Sequence, residues 1–296
     1  MIRDENIAII DGTKPHITDP ENPGAVDEII NLGVFLDDEK LCNNREQIIS
    51  LNTDIGNTFK LAYCYLKCAR ILMKHSSDIL EKYVSTAKVQ AFAMSADLVK
   101  KKVHVMQKLK GIGTAEKCTK RRKRYFGSSL TSAGAKSELC ILSEEIKDIY
   151  LLELPDGYRL HGITEIISKR LKLDGFMTEE LYCPMFPRGE AEHIISPDAG
   201  IAVFTCNNFH SAEVYEEKNI REIIKAEVID MPYTERQRSE ELVENAKTYM
   251  DKAVSVLSAA KAKHDELEKY YIDAMDFSSL GDMRNETITK IDKLIG

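Results

Sequence analysis

Tryptophan is absent from the 296 residues, and aromatic side chains make up only 7% of them. No run reaches the roughly eighteen apolar residues a membrane-spanning helix requires, so the sequence offers no such span. The start, MIRDENIAIIDGT, lacks the basic segment and long apolar stretch of a secretory signal. The seven cysteines, at 42, 64, 68, 118, 140, 183 and 206, include no Cys-x-x-Cys pair, which argues against a zinc site or a disulfide framework. Cys64 and Cys68 are four apart and read as helix packing, and thiols kept reduced in the cytoplasm are the expectation. Hydrophobic residues nonetheless make up 43% of the chain, enough to bury a substantial core.

The net charge of −7 hides an asymmetry. Between Lys100 and Arg124 stand eleven Lys or Arg and one acid, Glu116, so that stretch is +10 and the remainder −17. The densest part, KCTKRRKR at 117–124, could track a nucleic-acid backbone. Aromatics accompany it only at Tyr125 and Phe126, and no nucleic-acid-binding module is recognisable, so a solvated strap leaning on an acidic body is favoured.

A repeat runs through the chain. IAIIDGTKPH (7–16) resembles IAVFTCNNFH (201–210), EII recurs at 28–30 and 222–224, and ILEKYV (79–84) resembles ELEKYY (266–271), all in the same order. His16 and His210 occupy matching positions, where a packed or capping histidine is favoured over an acid–base or phosphate-contacting one. Each copy reads as a buried strand, a polar turn, a short helix and a long heptad pattern. In the first copy Ile48, Ile55, Ala62 and Ala69 are seven apart, interleaved with Phe59, Leu66, Met73 and Leu80. In the second the seam is Leu242, Ala246, Tyr249, Ala253, Val256, Ala260, Leu267 and Tyr270. Such stripes predict a helical hairpin arm in each copy, the first ending at Gly111 and Gly113.

The stretch YLLELPDGYRLHGITEIISK (150–169) predicts a strand, a tight loop and a helix, the layout of a phosphate-binding loop. A working loop, GxxxxGK followed by Ser or Thr, aims backbone N–H groups and a lysine at phosphate and a hydroxyl at Mg2+. Anchored on Pro155, this stretch puts Glu153 and Tyr158 at the glycines, Arg159 at the lysine and Leu160 at the hydroxyl. Arg159 keeps a positive charge, but Leu160 cannot ligate a metal and Glu153 is an anion. Pro155, Asp156, Gly157, Arg159, His161 and Gly162 are the residues such a loop would use for a phosphate. A plain strand–turn–helix, with Asp156-Gly157 as its turn, is the alternative.

On residues 7–33, 122–137, 150–169 and 192–210 the chain resembles a family of bacterial hypothetical ATPases built from two tandem P-loop domains, each with a helical insertion. The resemblance implies ATP and Mg2+ as ligands, a loop like GxPGTGKST in each domain, and a Mg2+-holding role for Asp11 at the end of the first repeated strand. Two departures restrict it to ancestry. The first loop would precede Met1, and the second is the degraded one above. The expected fold is α/β. Residues 1–35 form a remnant of the first P-loop-like unit, 36–112 a helical arm, 113–230 a degenerate P-loop-like domain with a mostly parallel sheet, and 231–296 a second arm. The expected function is a cytoplasmic interaction module with weak or absent ATP hydrolysis. A residual phosphate binder, or an ATPase half completed by a missing N-terminal part, is the alternative. A strand at 7–11 needs a sheet, so self-association or a separately encoded N-terminal partner is expected.

Overall fold

The computed structural model describes residues 7–13, 17–89, 123–156, 162–207, 209, 220–225 and 229–295. It is α/β. Eight strands lie between residues 123 and 225: β1 Lys123–Phe126, β2 Ser128–Thr131, β3 Gly134–Ser137, β4 Asp148–Glu153, β5 Glu179–Tyr182, β6 Ala191–Ser196, β7 Ile201–Cys206 and β8 Ile220–Lys225. Six form one sheet in the order β1-β5-β6-β7-β4-β8, and β2 and β3 form a separate hairpin. Within the large sheet β6 alone runs against the others; β4 lies parallel to β7 on one edge and to β8 on the other.

β4 shows why this sequence makes a sheet. Its residues alternate between two apolar clusters. Tyr150, Leu152 and the following Leu154 face Ile163, Ile167, Leu171, Ile194, Ile201 and Val203. Ile149 and Leu151 face Leu139, Ile146, Leu181, Ile195, Ala202 and Phe204. A parallel strand covered on both faces is apolar along its buried length, and the run IYLL before the exposed Glu153 is.

One covering element is helix α4, Ile163–Leu173, the fourth α-helix in chain order among the described residues. Ile163, Ile167 and Leu171, spaced by four, form its buried stripe, while Glu165 and Lys169 pair outward at 3.0 Å. The strand and helix that the sequence predicts within 150–169 both form, as β4 and α4.

The remaining helices are α1 Asp38–Asn43, α2 Arg45–Glu81, α3 Leu139–Leu142, α5 Tyr233–Ala274 and α6 Phe277–Ile295, with a 3-10 turn at Leu32–Phe35. At about 1.5 Å per residue, α2 and α5 are rods of roughly 55 and 63 Å. No helix among the described residues is long and apolar enough to cross a membrane. The chain divides into two units, Met1–Gly56 with Ala262–Gly296, and Asn57–Lys261, so both rods contribute to both.

In the larger unit α2 and α5 pack on each other, antiparallel. The Ser76 and Ser239 hydroxyls share a hydrogen bond of 2.7 Å with both residues buried, and Tyr65 meets Tyr249 with ring centroids 6.2 Å apart. Stepping back by heptads from the serine pair puts Ala69 opposite Ala246 and Ala62 opposite Ala253. All four alanines are fully buried. Small residues at these four positions let two backbones approach closely there, with dispersion spread along the rods. The heptads read from the sequence lie on helices, and the seam of α2 packs against α5. Most of the return limb expected after α2, with Gly111 and Gly113, lies outside the described residues. At the sheet end Val84 bridges Ile229 and Leu80 enters the core cluster with Tyr150 and Leu152, which fixes the rods to the sheet.

In the smaller unit Ile48, Ile55 and Leu267 form a core with Leu41, Tyr270 and Tyr271. Asp37 caps α1 by accepting from the Lys40 N–H at 3.1 Å, and Asp276 caps α6 by accepting from Ser278 and Ser279. The Ser279 hydroxyl and the two amide donors hold the Asp276 carboxyl below its ordinary range. The strand expected at 7–11 does not form. Ile7 makes an isolated bridge, residues 8–12 have no regular structure, and Ile9 and Ile10 are 67% and 64% exposed. Its repeat partner β7 is buried between β4 and β6. Residues 8–12 have no flanking strands among the described residues of their unit, and a β-strand without neighbours cannot satisfy its backbone.

The serine pair gives a direct test of the seam. Ser76→Ala or Ser239→Ala alone strands a buried hydroxyl and should cost about 1–3 kcal/mol in urea denaturation, whereas the double variant should cost clearly less than the sum. Additive costs would mean the two serines do not meet.

Candidate functional site

From β4 the chain leaves through α4 to β5 on one side of the sheet, while the strand after β7 is β8, on the other side of β4. The carboxyl ends of β4 and β7 therefore form a switch point, where open α/β sheets leave a crevice suited to ligands. Leu154 N–H still donates to Cys206 O at 3.1 Å, so the strands stay paired to the rim. Beyond it Glu153 and Pro155 are exposed and Asp156 is half-buried.

Gly162 opens α4 at φ +83°, a left-handed conformation that glycine adopts without the steric cost of a Cβ. Having no side chain, it cannot cap the helix. The Gly162 N–H instead donates to Glu190 Oε2 at 2.7 Å, across 28 residues of sequence. A carboxylate from the loop before β6 thus sits at the helix start, the position where a phosphate-binding loop seats its anion. Thr164, in the first turn and buried, donates to Ala191 O at 2.6 Å and anchors the start of β6 beside it.

The crevice has one cation from the rods. Lys247 of α5 lies 3.6 Å from Asp156 Oδ2 and 3.8 Å from Glu244, with its ammonium 5.5 Å from the Phe209 ring centroid. A half-exposed pair of this kind contributes little to stability, but it commits the cation to the protein's own carboxylates.

Of the residues the sequence singles out, Pro155, Asp156 and Gly162 stand at this crevice. Gly157, Arg159, His161, His16 and His210 lie outside the described residues, as does the basic strap through Arg122. Asp11 belongs to the other unit, where its Oδ1 accepts from the Thr13 N–H at 2.8 Å and from the Thr13 hydroxyl at 2.6 Å, a local turn. Glu190, Lys247 and Phe209 were not legible in the sequence. Each reaches the crevice from a distant element, and no local pattern distinguishes it.

β5 carries a second polar group. Glu179 and Glu180 are consecutive and both 2% exposed. Glu179 accepts from the Tyr125 hydroxyl. Glu180 accepts from Ser168 at 2.8 Å, Lys172 at 2.9 Å and Tyr182 at 2.9 Å. Buried carboxylates need such partners, because an uncompensated one costs several kcal/mol. Tyr182 and Glu180 also line an open cavity of about 430 Å3 beside the first turn of α4.

Cys183, at the end of β5, is not a nucleophile. Burial, followed by the negative charge of Glu192, pushes its thiol up to about 12, so it stays protonated at neutral pH. Iodoacetamide at about pH 8 should label the exposed Cys42 and Cys64 of the folded protein and spare Cys183. Equal labelling of Cys183, read by peptide mass spectrometry, would contradict its burial.

Compared with family models, curated proteins and solved structures, the chain matches none.

Proposed function

We propose that this chain is a P-loop-ATPase-related protein of the cytoplasm that does not turn over nucleotide and acts as an interaction module. The observation that carries this reading is the Gly162–Glu190 hydrogen bond. An internal carboxylate at the helix start repels a triphosphate and uses a donor that would otherwise face it. Lys247, the cation from α5, is already paired with Asp156 and Glu244. Leu160 brings no hydroxyl to the metal position. The six described cysteines are free thiols, which suits a reducing compartment.

An interaction role fits the smaller unit. Ile9, Ile10, Val26, Ile29, Leu32 and Val34 of its N-terminal segment are exposed, and α6 buries none of its residues. A second copy or a separately encoded partner supplying strands to residues 7–11 is the form of association this reading favours.

Steady-state phosphate release from ATP with Mg2+ should not exceed background. Calorimetry should show no ATP binding that depends on Mg2+. Micromolar, Mg2+-dependent binding would overturn the reading and favour a working nucleotide site.

A further inference from the structure

The cavity beside α4 differs from the crevice at the end of β4 in which of its charges are already used. Its floor is buried, with Tyr182 and Glu180 from β5. Its rim is charged, with Arg124 from β1, Glu165 from α4, and Arg188 and Glu190 from the loop between β5 and β6. All three carboxylates have committed partners within the protein. Glu180 holds Lys172, Ser168 and Tyr182; Glu165 pairs with Lys169 at 3.0 Å; Glu190 accepts from the Gly162 N–H.

The two arginines have none. Among the described residues no carboxylate pairs with Arg124 or Arg188. The Arg124 guanidinium instead lies 5.5 Å from the Tyr182 ring centroid, where the ring face orients it without neutralising it. Two guanidiniums from different elements thus border one concave space in which Glu165 and Glu180 are paired with lysines and Glu190 alone keeps an unneutralised charge. The volume falls within the range of small-molecule sites. A guanidinium offers a planar fork of donors that fits a phosphate or carboxylate two bonds at a time.

We infer that this cavity binds a small molecule through a doubly charged oxyanion group, a phosphate monoester or a dicarboxylate, held between Arg124 and Arg188. The cavity shares Glu190 with the start of α4, but its two arginines are not part of that turn, and the inference does not rest on the absence of nucleotide turnover. The inference and that reading can fail independently, because a dicarboxylate contains no phosphate.

Titration with glycerol 3-phosphate and, separately, with succinate tests it, followed by NMR of the arginine Nε–Hε groups and by thermal shift of the full chain. At least one probe should saturate and move the Arg124 and Arg188 signals, and the better one identifies which oxyanion the site takes. Arg188→Ala and Arg124→Ala should each weaken that binding by about tenfold or more. Arg188→Lys, which keeps the charge and loses the fork, should weaken it by an intermediate factor. Both side chains are exposed, so the variants should keep the wild-type circular dichroism. Arg236→Ala, on α5 and outside the cavity, should change nothing. No saturable binding of either probe, or binding indifferent to both alanine substitutions, would overturn the inference.

Discussion

The burial of β4 on both faces and both edges is the constraint on which the larger unit depends. Its odd residues join one core and its even residues the other, so the strand is where the α4 side and the α3 side of the sheet meet. With β7 and β8 parallel on its flanks, β4 is paired along both edges, with a register shift against β8 between Ile149 and Tyr150. That arrangement fixes where the strand ends, and hence where Gly162 can open α4. It also brings the loop before β6 close enough for Glu190 to cap the helix. The rods meet the same core through Leu80, so packing of the α2–α5 seam and of the sheet is coupled at that end.

Legibility in the sequence followed the range of the forces involved. β4 and α4 were readable because their signals are local: an apolar run ended by Pro155, and a stripe spaced by four. The heptads of α2 and α5 were readable for the same reason. What each stripe packs against was not, since a stripe records that a face is buried and does not name its neighbour. The segment at 7–11 shows the reverse failure. Its residues resemble those of β7, but strand formation depends on flanking strands, and β7 has β4 and β6 where residues 8–12 have none among the described residues.

The candidate sites divide along the same line. Asp156 and Gly162 could be singled out from the turn chemistry of one short stretch. Glu190, Lys247, Arg124 and Arg188 could not, because each gains its meaning only when a separate element carries it to the carboxyl edge of the sheet. The protein has placed its own carboxylate at the helix start and engaged the nearby lysine, while Arg124 on β1 and Arg188 in the β5–β6 loop have no carboxylate partner among the described residues. Negative charge is thus provided internally at the helix start, and the inferred site invites an external one between the two arginines.

The central claim is that the anion seat at the start of α4 belongs to Glu190. The Gly162 amide reports on it directly in proton–nitrogen correlation spectra. Replacing Glu190 with glutamine should move that amide upfield as its charged acceptor is lost, and adding ATP with Mg2+ to the unaltered protein should leave it in place. A Gly162 amide that ignores the substitution and shifts with ATP and Mg2+ would show the seat to be a nucleotide site after all.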